Sequence, residues 1–307
     1  MLNVRQPFVN PELSSPSPVL TDMHVVIIGM GLMGASLGYD LRGHVRRVTG
    51  VVRRAEAIPT TRTSGCVDDV TTDAHAAVAE ADLVVLATPV RTILRQIAEL
   101  GPRMKPGAVL IDMGSTKTAI CRAMADLPPY VQALGGHPMC GKEAAGLAAA
   151  EPGLYRGCTF VLCPLPRTSP QAQNLILSLI HHLQAHPLVL DPEQHDRLVA
   201  AISHLPYLTA TSLVAHVMAV AEADPRVWEV AASGFRDTSR VAASDVRMML
   251  DILFTNRDAV LNAVDDYLAR LAALRQALAT GDEHLLKQQL ASIAHTRRNW
   301  QKNRQTH

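Results

Sequence analysis

A glycine-rich turn near the beginning of the chain has the spacing of a dinucleotide-binding site. Residues 24–37 read HVVIIGMGLMGASL, an apolar run followed by three glycines and the start of a helical pattern. Gly29 permits a sharp turn at the strand end, Gly31 leaves space for a pyrophosphate, and Gly34 lets the helix approach the strand. The helix N-terminus, which opens with Leu32 and Met33, would face the phosphates. The pattern therefore predicts a dinucleotide site, and a purely structural glycine turn is the alternative.

The residues after the second apolar run bear on the choice of cofactor. A site for NAD usually ends this strand with an acidic residue that binds the ribose 2′-hydroxyl. Here Val52 takes that place, and Arg53 and Arg54 follow it. A guanidinium forms charge-assisted hydrogen bonds to a 2′-phosphate, which a carboxylate would repel. We expect NADP to be preferred with NAD still possible; ordinary solvated arginines at a helix start are the alternative interpretation.

Polar side chains also follow three later apolar runs. Thr88 and Pro89 end the first of these runs, Ser115 and Lys117 follow the next in the string DMGSTK, and His137 lies in GGHPMCG. Because open α/β sheets bind ligands at the carboxyl ends of their strands, these groups would meet at one edge. An imidazole titrates near neutral pH and suits proton transfer, so His137, on a loop stiffened by proline, is a candidate base. Ser115 could instead be a helix N-cap, and Lys117 a solvated first-turn lysine.

A second set of polar residues lies in the C-terminal half of the chain. His204 and Tyr207 occur in the string SHLPY, and Arg236 and Arg240 occur in GFRDTSR. The two arginines are four residues apart and share a face if this segment is helical. A guanidinium suits bidentate binding of a carboxylate. We expect Arg240 to bind an anion, whereas Arg236 could support it or pair with an aspartate, and His204 could be a structural histidine.

The elements that must position these residues change in character along the chain. Apolar runs alternate with helix-like segments in the first half, which predicts an α/β Rossmann-type doubly wound sheet at residues 21–190. At residues 191–307 apolar side chains recur every three or four positions without a strand pattern, which predicts an all-α C-terminal domain. Residues 1–20, with four prolines, are expected to form a flexible arm. The candidate strands are 24–28, 47–52, 83–88, 108–112, 130–134, 159–162 and 187–190.

The helical half carries both break signals and a large apolar content. Breaks between helices are expected at Pro206, at 224–225, at Gly234 and at 281–282. Residues such as Val260, Val264, Leu268 and Leu271 follow a helical period. A helical domain with this many apolar residues is expected to pack against more than the sheet. A second copy of the chain is the natural partner, and we therefore expect a homodimer.

Composition excludes several classes of partner. The formal net charge of the 307 residues is +1, so neither nucleic acid nor an anionic membrane is an expected partner. The five cysteines form no CxxC pair, which favours a reduced, cytoplasmic protein. The N-terminus has no apolar segment typical of a signal peptide, and no apolar run is expected to span a membrane.

Taken together, the strings resemble the prephenate and arogenate dehydrogenases of tyrosine biosynthesis. The resemblance covers residues 23–258 and includes GxGLMGxSL, ATPV, DxGSxK and GxHPMxGxExxG, the last running through Glu143 to Gly146. It continues with the pair His195-Asp196, with SHLP, and with GFRDxxRxAxSD. Single motifs of this set are shared with other β-hydroxyacid-type dehydrogenases, but the last three strings in this order are more specific.

The resemblance implies an activity and roles for the candidate residues. Members of this family oxidise a cyclohexadienol with NAD(P), and the ring carboxylate leaves as CO2 while the ring becomes aromatic. No metal is expected, because aromatisation drives the loss of CO2. His137 matches the family's acceptor for the hydroxyl proton, Ser115 a serine that orients the hydroxyl, the histidine or the nicotinamide, and Arg240 the arginine that binds a substrate carboxylate.

Departures from the family pattern leave the substrate open. Many members read SHLPH, and the second histidine is associated with the pyruvyl or alanyl side chain of the substrate; Tyr207 stands in its place here. Prephenate, arogenate and an amino-substituted prephenate are therefore all candidates. Another β-hydroxyacid-type dehydrogenase is a rival interpretation. The active sites of those enzymes depend on a lysine in the helical domain. The lysines of this helical half are Lys287 and Lys302, both in polar sequence near its end, which argues against the rival. A nonenzymatic redox sensor that binds NADP is the rival from another class.

Overall fold

The computed structural model describes residues 20–142 and 144–305. Within them the first half of the chain forms one eight-stranded sheet and the second half is helical, as the sequence predicts. Residue 20 opens a short 3-10 turn, Leu20–Asp22. The rest of the expected N-terminal arm, and Glu143 of the family motif, lie outside the described residues.

Eight strands form the sheet: β1 His24–Ile28, β2 Arg47–Val51, β3 Asp69–Thr71, β4 Leu83–Leu86, β5 Val109–Asp112, β6 Gln132–Pro138, β7 Thr159–Pro164 and β8 His186–Val189. Their order is β3-β2-β1-β4-β5-β6-β7-β8. All neighbouring pairs are parallel except β6 and β7. The strand order reverses between β1 and β4, and the crevice at such a point is where dinucleotides bind.

Helices cover both faces of the sheet: α1 Leu32–Leu41, α2 Ala57–Ser64, α3 Ala74–Glu80, α4 Val90–Leu100, α5 Thr118–Ala125 and α6 Pro170–His182. Strand β1 shows why both faces need cover, since all five of its residues are buried. Val25 and Ile27 pack in one apolar cluster with α1 and α6, and Val26 and Ile28 pack in a second with α3, α4 and α5. A strand that is buried on both faces has a continuous run of apolar residues, and this run is the feature from which the sequence predicts β1.

One strand differs from its prediction in a way that matters for function. The sequence places a strand at 130–134 and His137 on a loop, whereas β6 extends to Pro138 and His137 pairs with Val161 of β7. The loop placement is wrong because an antiparallel partner, β7, lies along the GGHP segment and continues the ladder there. Gly136 allows this close packing, since a Cβ at that position would lie 2.5 Å from the Asp112 carbonyl oxygen.

Six helices build the C-terminal half: α7 Pro192–Val199, α8 Leu205–Ala223, α9 Ser233–Ser239, α10 Val246–Thr255, α11 Arg257–Ala279 and α12 Glu283–Gln305. The breaks expected at 224–225 and 281–282 are present. The break expected at Pro206 is wrong: a π-helical turn, Ala200–His204, joins α7 to α8, and this wider turn lets the helix continue through Pro206. The break expected at Gly234 lies just before it, at residues 229–232, and Gly234 is the second residue of α9.

The continuous helical stretch Pro192–Ala223 corrects a second expectation. Its length and its composition alone would allow it to cross a membrane, whereas no apolar run of that length is expected from the sequence. One helix of this kind is weak evidence for a membrane span, because packed helices of soluble proteins pass the same test. Much of its apolar surface is uncovered within one chain, as are Tyr267, Leu268 and Leu271 on α11. Such a surface is typical of an interface.

Candidate active site

The glycine turn after β1 has the shape that a dinucleotide requires. Gly29 has a φ of +101°, and a Cβ there would lie 2.6 Å from Cγ2 of Thr88. A Cβ on Gly34 would lie 2.0 Å from the carbonyl oxygen of Gly29, so the close contact of helix and strand depends on this glycine. A Cβ on Gly31 would meet no atom within 4 Å. Gly31, the N-cap of α1, therefore opens onto space that a pyrophosphate could enter, and the residues fit a nicotinamide dinucleotide.

The other predicted cofactor residues surround this crevice. Leu32 and Met33 form the half-buried first turn of α1. Arg53 and Arg54 are exposed just beyond the end of β2. Thr88 lies beyond β4 and donates a hydrogen bond to Oε1 of Gln96 at 2.7 Å. Pro89 is the exposed N-cap of α4, whose first turn borders the crevice.

A chain of hydrogen bonds runs from His137 into the helical half. Nδ1 of His137 lies 2.8 Å from Nε2 of His195, and Nδ1 of His195 lies 2.8 Å from Oδ1 of Asp196. His195 and Asp196 belong to α7 and are buried, with exposures of 0% and 3%. The sheet edge therefore supplies the outer imidazole, and the helical half supplies the two groups behind it.

With both imidazoles in their neutral form, this chain determines where the protons lie. The Asp196 carboxylate can only accept, so Nδ1 of His195 carries a proton and Nε2 of neutral His195 is an acceptor. His137 must then donate through Nδ1, which leaves its Nε2 as a lone pair directed away from the chain. In this tautomer His137 can accept a proton from a bound ligand. The relay is the hydrogen-bonded arrangement expected of an oriented general base.

Asp196 also holds the N-terminus of α5. Its two carboxylate oxygens accept from the backbone N–H groups of Lys117 and Thr118, at 2.7 and 2.8 Å. Burial alone would raise the pKa of Asp196, but hydrogen bonds from His195 and from these residues outweigh it and lower the pKa. The carboxylate therefore stays ionised and caps a helix that begins at Thr118. The interpretation of Ser115 as the N-cap is wrong, because Asp196 performs that task from another helix.

Lys117 is not a solvated lysine. Its ammonium forms an ion pair with Oδ2 of Asp112, and neither side chain is exposed. Asp112 also accepts from the N–H groups of Gly114 and Gly136, at 2.7 and 3.0 Å. The ion pair thus ties the end of β5 to β6 immediately beside His137. Its ammonium is thus engaged by Asp112, and a direct contact of Lys117 with the cofactor stays a prediction.

The surroundings of His137 keep it neutral. Burial lowers the pKa of His137 well below its usual value, and positive charge on Lys117, His195 or His204 would lower it further. A neutral imidazole has the lone pair that a base needs, so this shift retains the base form at neutral pH.

His204 is a buried partner of Asn256. It ends the π-helical turn with 1% of its surface exposed, and its Nδ1 lies 3.2 Å from Nδ2 of Asn256. The same amide nitrogen donates to the backbone carbonyl of Asp196 at 2.7 Å, which fixes the orientation of the amide. Nδ1 of His204 therefore accepts, and its Nε2 carries the proton. Burial lowers the pKa of His204 to about 4, so the residue is neutral.

The remaining predicted residues differ in burial and in their partners. Ser115 is half-buried beyond β5, and Tyr207 is half-buried in the first turn of α8. Arg236 pairs with Asp237 at 3.0 Å on an exposed surface. Arg240 is exposed and is the C-cap residue of α9, with helical backbone angles, where the 3-10 turn Arg240–Ala243 begins. The segment that carries both arginines is therefore helical, as the shared-face argument requires. The convergence of Arg240 and His137 on one ligand stays a prediction.

Sequence reasoning gave no role to three residues of this network. The sequence identifies His195 and Asp196 only as a family string. A local signal does mark the start of their helix, because Asp191 is followed by Pro192 and caps α7 with its side chain, one turn before these residues. Asn256 carries no such signal. It lies between α10 and α11, and only the tertiary structure brings it to within hydrogen-bond distance of His204.

The strand order, the open glycine turn and the oriented base at one sheet edge together define a class. They are the features of a nicotinamide-nucleotide-dependent dehydrogenase with a helical C-terminal domain. Two family models match the chain: "Prephenate dehydrogenase, nucleotide-binding domain" at residues 37–189 and "Prephenate dehydrogenase, dimerization domain" at residues 191–292. The chain therefore belongs to the prephenate dehydrogenase family.

Individual relatives are similar over most of the chain. The prephenate dehydrogenase of Bacillus subtilis is 33% identical over 255 residues, which are 82% of this chain and 69% of the relative. A cyclohexadienyl dehydrogenase of Zymomonas mobilis is 32% identical, covering 88% and 95% of the two chains. The crystal structure of Aquifex aeolicus prephenate dehydrogenase with hydroxyphenyl propionate and NAD+ superposes with a TM-score of 0.85 at 27% identity, covering 91% of this chain and 99% of that one.

Proposed function

We propose that the protein catalyses the oxidative decarboxylation of prephenate or arogenate, with hydride transfer to NAD(P). The products are CO2 and either 4-hydroxyphenylpyruvate or tyrosine. The observation that carries this proposal is the relay of His137, His195 and Asp196, which presents an unprotonated Nε2 near the carboxyl end of β6, at the sheet edge that also carries the glycine turn. The family membership and the relatives named above support the same reaction.

In this mechanism His137 accepts the proton of the ring hydroxyl through Nε2. As the hydroxyl carbon loses its hydride, the positive charge that forms on His137 is stabilised through Nδ1 by His195 and by the ionised Asp196. The nicotinamide, when bound, takes the hydride. Loss of CO2 then leaves the electron pair of the broken carbon–carbon bond in the ring, which becomes aromatic, and the phenolate oxygen takes back the proton that His137 holds.

Other residues bind and orient the substrate. Arg240 binds a carboxylate through its guanidinium, with Arg236 as a second positive charge nearby in the sequence. Neutral His204 donates from Nε2, and Ser115 orients the hydroxyl or the nicotinamide. Tyr207, at the start of α8, contacts the substrate side chain that distinguishes prephenate from arogenate.

NADP is the proposed preferred cofactor, with NAD as the second. Arg53 and Arg54 are exposed directly beyond β2, at the place where the 2′-phosphate of a dinucleotide bound in the glycine turn would lie. Val52 is buried there, so no carboxylate opposes the phosphate.

The proposed assembly is a homodimer through the helical half. Apolar side chains of several helices are exposed in one chain, among them Met218 at 57%, Phe254 at 61% and Leu268 at 54%. This is more uncovered apolar surface than a monomer usually shows, and a second copy would bury it. The protein would work in the cytoplasm, where its five unpaired thiols are stable.

The test is an assay of the purified protein with prephenate or arogenate, each with NAD or NADP, followed by the absorbance of reduced nicotinamide. The proposal expects ring-substrate-dependent reduction in at least one combination, fastest with NADP. A further arm with 4-amino-4-deoxyprephenate tests the amino-substituted alternative. If the folded protein binds the dinucleotide but reduces none with any ring substrate, the proposal is wrong, and a β-hydroxyacid dehydrogenase or a redox sensor becomes the better interpretation.

A further inference from the structure

Two cysteines face each other just beyond the pairing of β6 and β7. In that ladder His137 is opposite Val161 and Pro138 is opposite Phe160. The N–H of Met139 donates to the carbonyl of Thr159 at 2.8 Å, which continues the same register. The next opposed pair is Cys140 and Cys158, and the two thiols are close enough to shift each other's pKa.

The backbone of Cys158 shows which kind of pair this is. Its carbonyl accepts from the N–H of His186 at 2.8 Å, and its own N–H donates to the carbonyl of Tyr155 at 3.1 Å. Neither group is directed at Cys140, so this is a non-hydrogen-bonded antiparallel pair. The Cα atoms of such pairs lie about 4.5 Å apart, which is within the range that a disulfide bridges without moving the backbone.

The two cysteines are accessible to solvent, and they differ in how readily they ionise. Both cysteines are half-buried and pack against the same apolar cluster. The neighbouring Cys140 thiol lowers the pKa of Cys158 and burial opposes this, so Cys158 is the more readily ionised thiol of the two. The chain offers a matched pair for comparison, because Cys121 and Cys163 are also in contact but are buried, at 4% and 0% exposure.

We propose that Cys140 and Cys158 are a reversible thiol–disulfide site that reacts with peroxide. The Cys158 thiolate attacks one oxygen of hydrogen peroxide, and the O–O bond breaks to give a sulfenic acid and water. The Cys140 sulfur then attacks the sulfenic sulfur, the S–S bond forms, and a second water leaves. Two thiols are oxidised and one peroxide is reduced to two waters. A dithiol reverses the reaction by exchange.

The disulfide would close the base of a loop that lies on the cofactor helix. Between the two cysteines, Tyr155 donates from its hydroxyl to the carbonyl of Met33 at 2.5 Å, and the N–H of Gly153 donates to Oδ1 of Asp40 at 2.7 Å. Met33 and Asp40 both belong to α1. Closing the loop restricts the unfolded chain and holds these contacts, so oxidation stabilises the dinucleotide-binding half.

The experiment oxidises the folded full chain with hydrogen peroxide, blocks remaining thiols with an alkylating agent and analyses a tryptic digest without reduction. The expected result is a disulfide that links peptide 123–142, which holds Cys140, to peptide 157–167, which holds Cys158 and Cys163. Cys163→Ser should retain the link, and Cys158→Ser should lose it. Alkylation of both Cys140 and Cys158 after oxidation, or a link that survives Cys158→Ser, would overturn the proposal.

Thermal unfolding tests the effect on the loop. Oxidation should raise Tm by about 5 °C, an increase that dithiothreitol reverses and that Cys158→Ser abolishes. Cys121→Ser, the matched control, should keep the increase. A linked peptide without any rise in Tm would show that the bond forms but does not restrain the loop, which contradicts that part of the proposal.

Discussion

Nδ1 of His137 lies 2.8 Å from Nε2 of His195, so an imidazole on the sheet and one on the first helix of the C-terminal half share a single proton. Asp196 controls both ends of this arrangement. Its carboxylate fixes the tautomer of His195 and thereby leaves Nε2 of His137 as a base, while its backbone carbonyl orients the amide of Asn256 and so leaves Nε2 of His204 as a donor. Asp196 thus determines that Nε2 of His137 is an acceptor and that Nε2 of His204 is a donor.

The relay predicts that His195 acts on turnover through His137. In His195→Phe the ring volume is kept but His137 loses its acceptor, and kcat should fall about 10- to 100-fold with the dinucleotide Kd unchanged. Steady-state kinetics and a dinucleotide titration measure the two effects. His195→Gln, whose amide oxygen can accept from His137, should recover part of the rate.

The control for the relay is His186→Asn, which changes an exposed histidine at the start of β8 and should leave kcat as it is. A purely structural role for His195 would instead lower kcat in proportion to the folded fraction, with no rescue by glutamine. That pattern would contradict the relay.

Asn256 is predicted to determine the tautomer of His204. In Asn256→Asp a carboxylate faces Nδ1 of His204, so the proton should move from Nε2 to Nδ1. Nitrogen chemical shifts of labelled histidine report the tautomer directly. Asn256→Gln keeps the amide and serves as the comparison. An unchanged Nε2–H tautomer in the aspartate variant would show that some other contact controls this ring.

His204 also predicts how stability depends on pH. Its pKa is about 4 in the folded state, below the value of about 6.5 in an unfolded chain, so between these values the unfolded state binds more protons. Stability should therefore fall as pH is lowered through 6.5. From pH 7.5 to pH 5 the loss due to His204 is about 2 kcal/mol.

Urea unfolding of the wild type and of His204→Asn at these two pH values measures that contribution. The variant is expected to be less stable at pH 7.5, but its stability should decline by about 2 kcal/mol less on acidification. Equal declines in the two proteins would mean that His204 is not buried in its neutral form.

Arg53 is predicted to discriminate between the two dinucleotides. Replacing it with aspartate removes a charge-assisted bond to the 2′-phosphate and adds repulsion, so the Kd for NADP should rise about 10-fold or more while that for NAD changes little. The variant Arg62→Asp, which makes the same charge change on the exposed face of α2, is the matched control. If Arg53→Asp leaves the NADP to NAD ratio unaltered, the NADP preference has no basis in this residue.

The sequence was informative where local rules decide the structure. The glycine turn, the apolar strands and the helix start at Asp191 follow from steric limits, burial on two faces and capping, each of which is visible in a few consecutive residues. The same rules placed Ser115 beyond β5 and assigned His137 to the end of the neighbouring strand, although not to a position within it.

The relay could not be obtained in this way. It depends on β7 turning antiparallel and extending β6 to Pro138, and on α7 lying against the start of α5, and both are long-range contacts. Lys117 illustrates the same limit, because its sequence context is that of a first-turn lysine, and only the structure pairs it with Asp112 in the interior. The helix break predicted at Pro206 is wrong because a π-helical turn before this residue lets the helix continue.

The most direct test of the central claim is the rate of His137→Asn with the wild type's best ring substrate and dinucleotide. The account predicts that kcat falls at least ~10²-fold, because no group remains at the sheet edge to accept the hydroxyl proton, while the dinucleotide Kd stays within a factor of about two. A variant that turns over at the wild-type rate would contradict it.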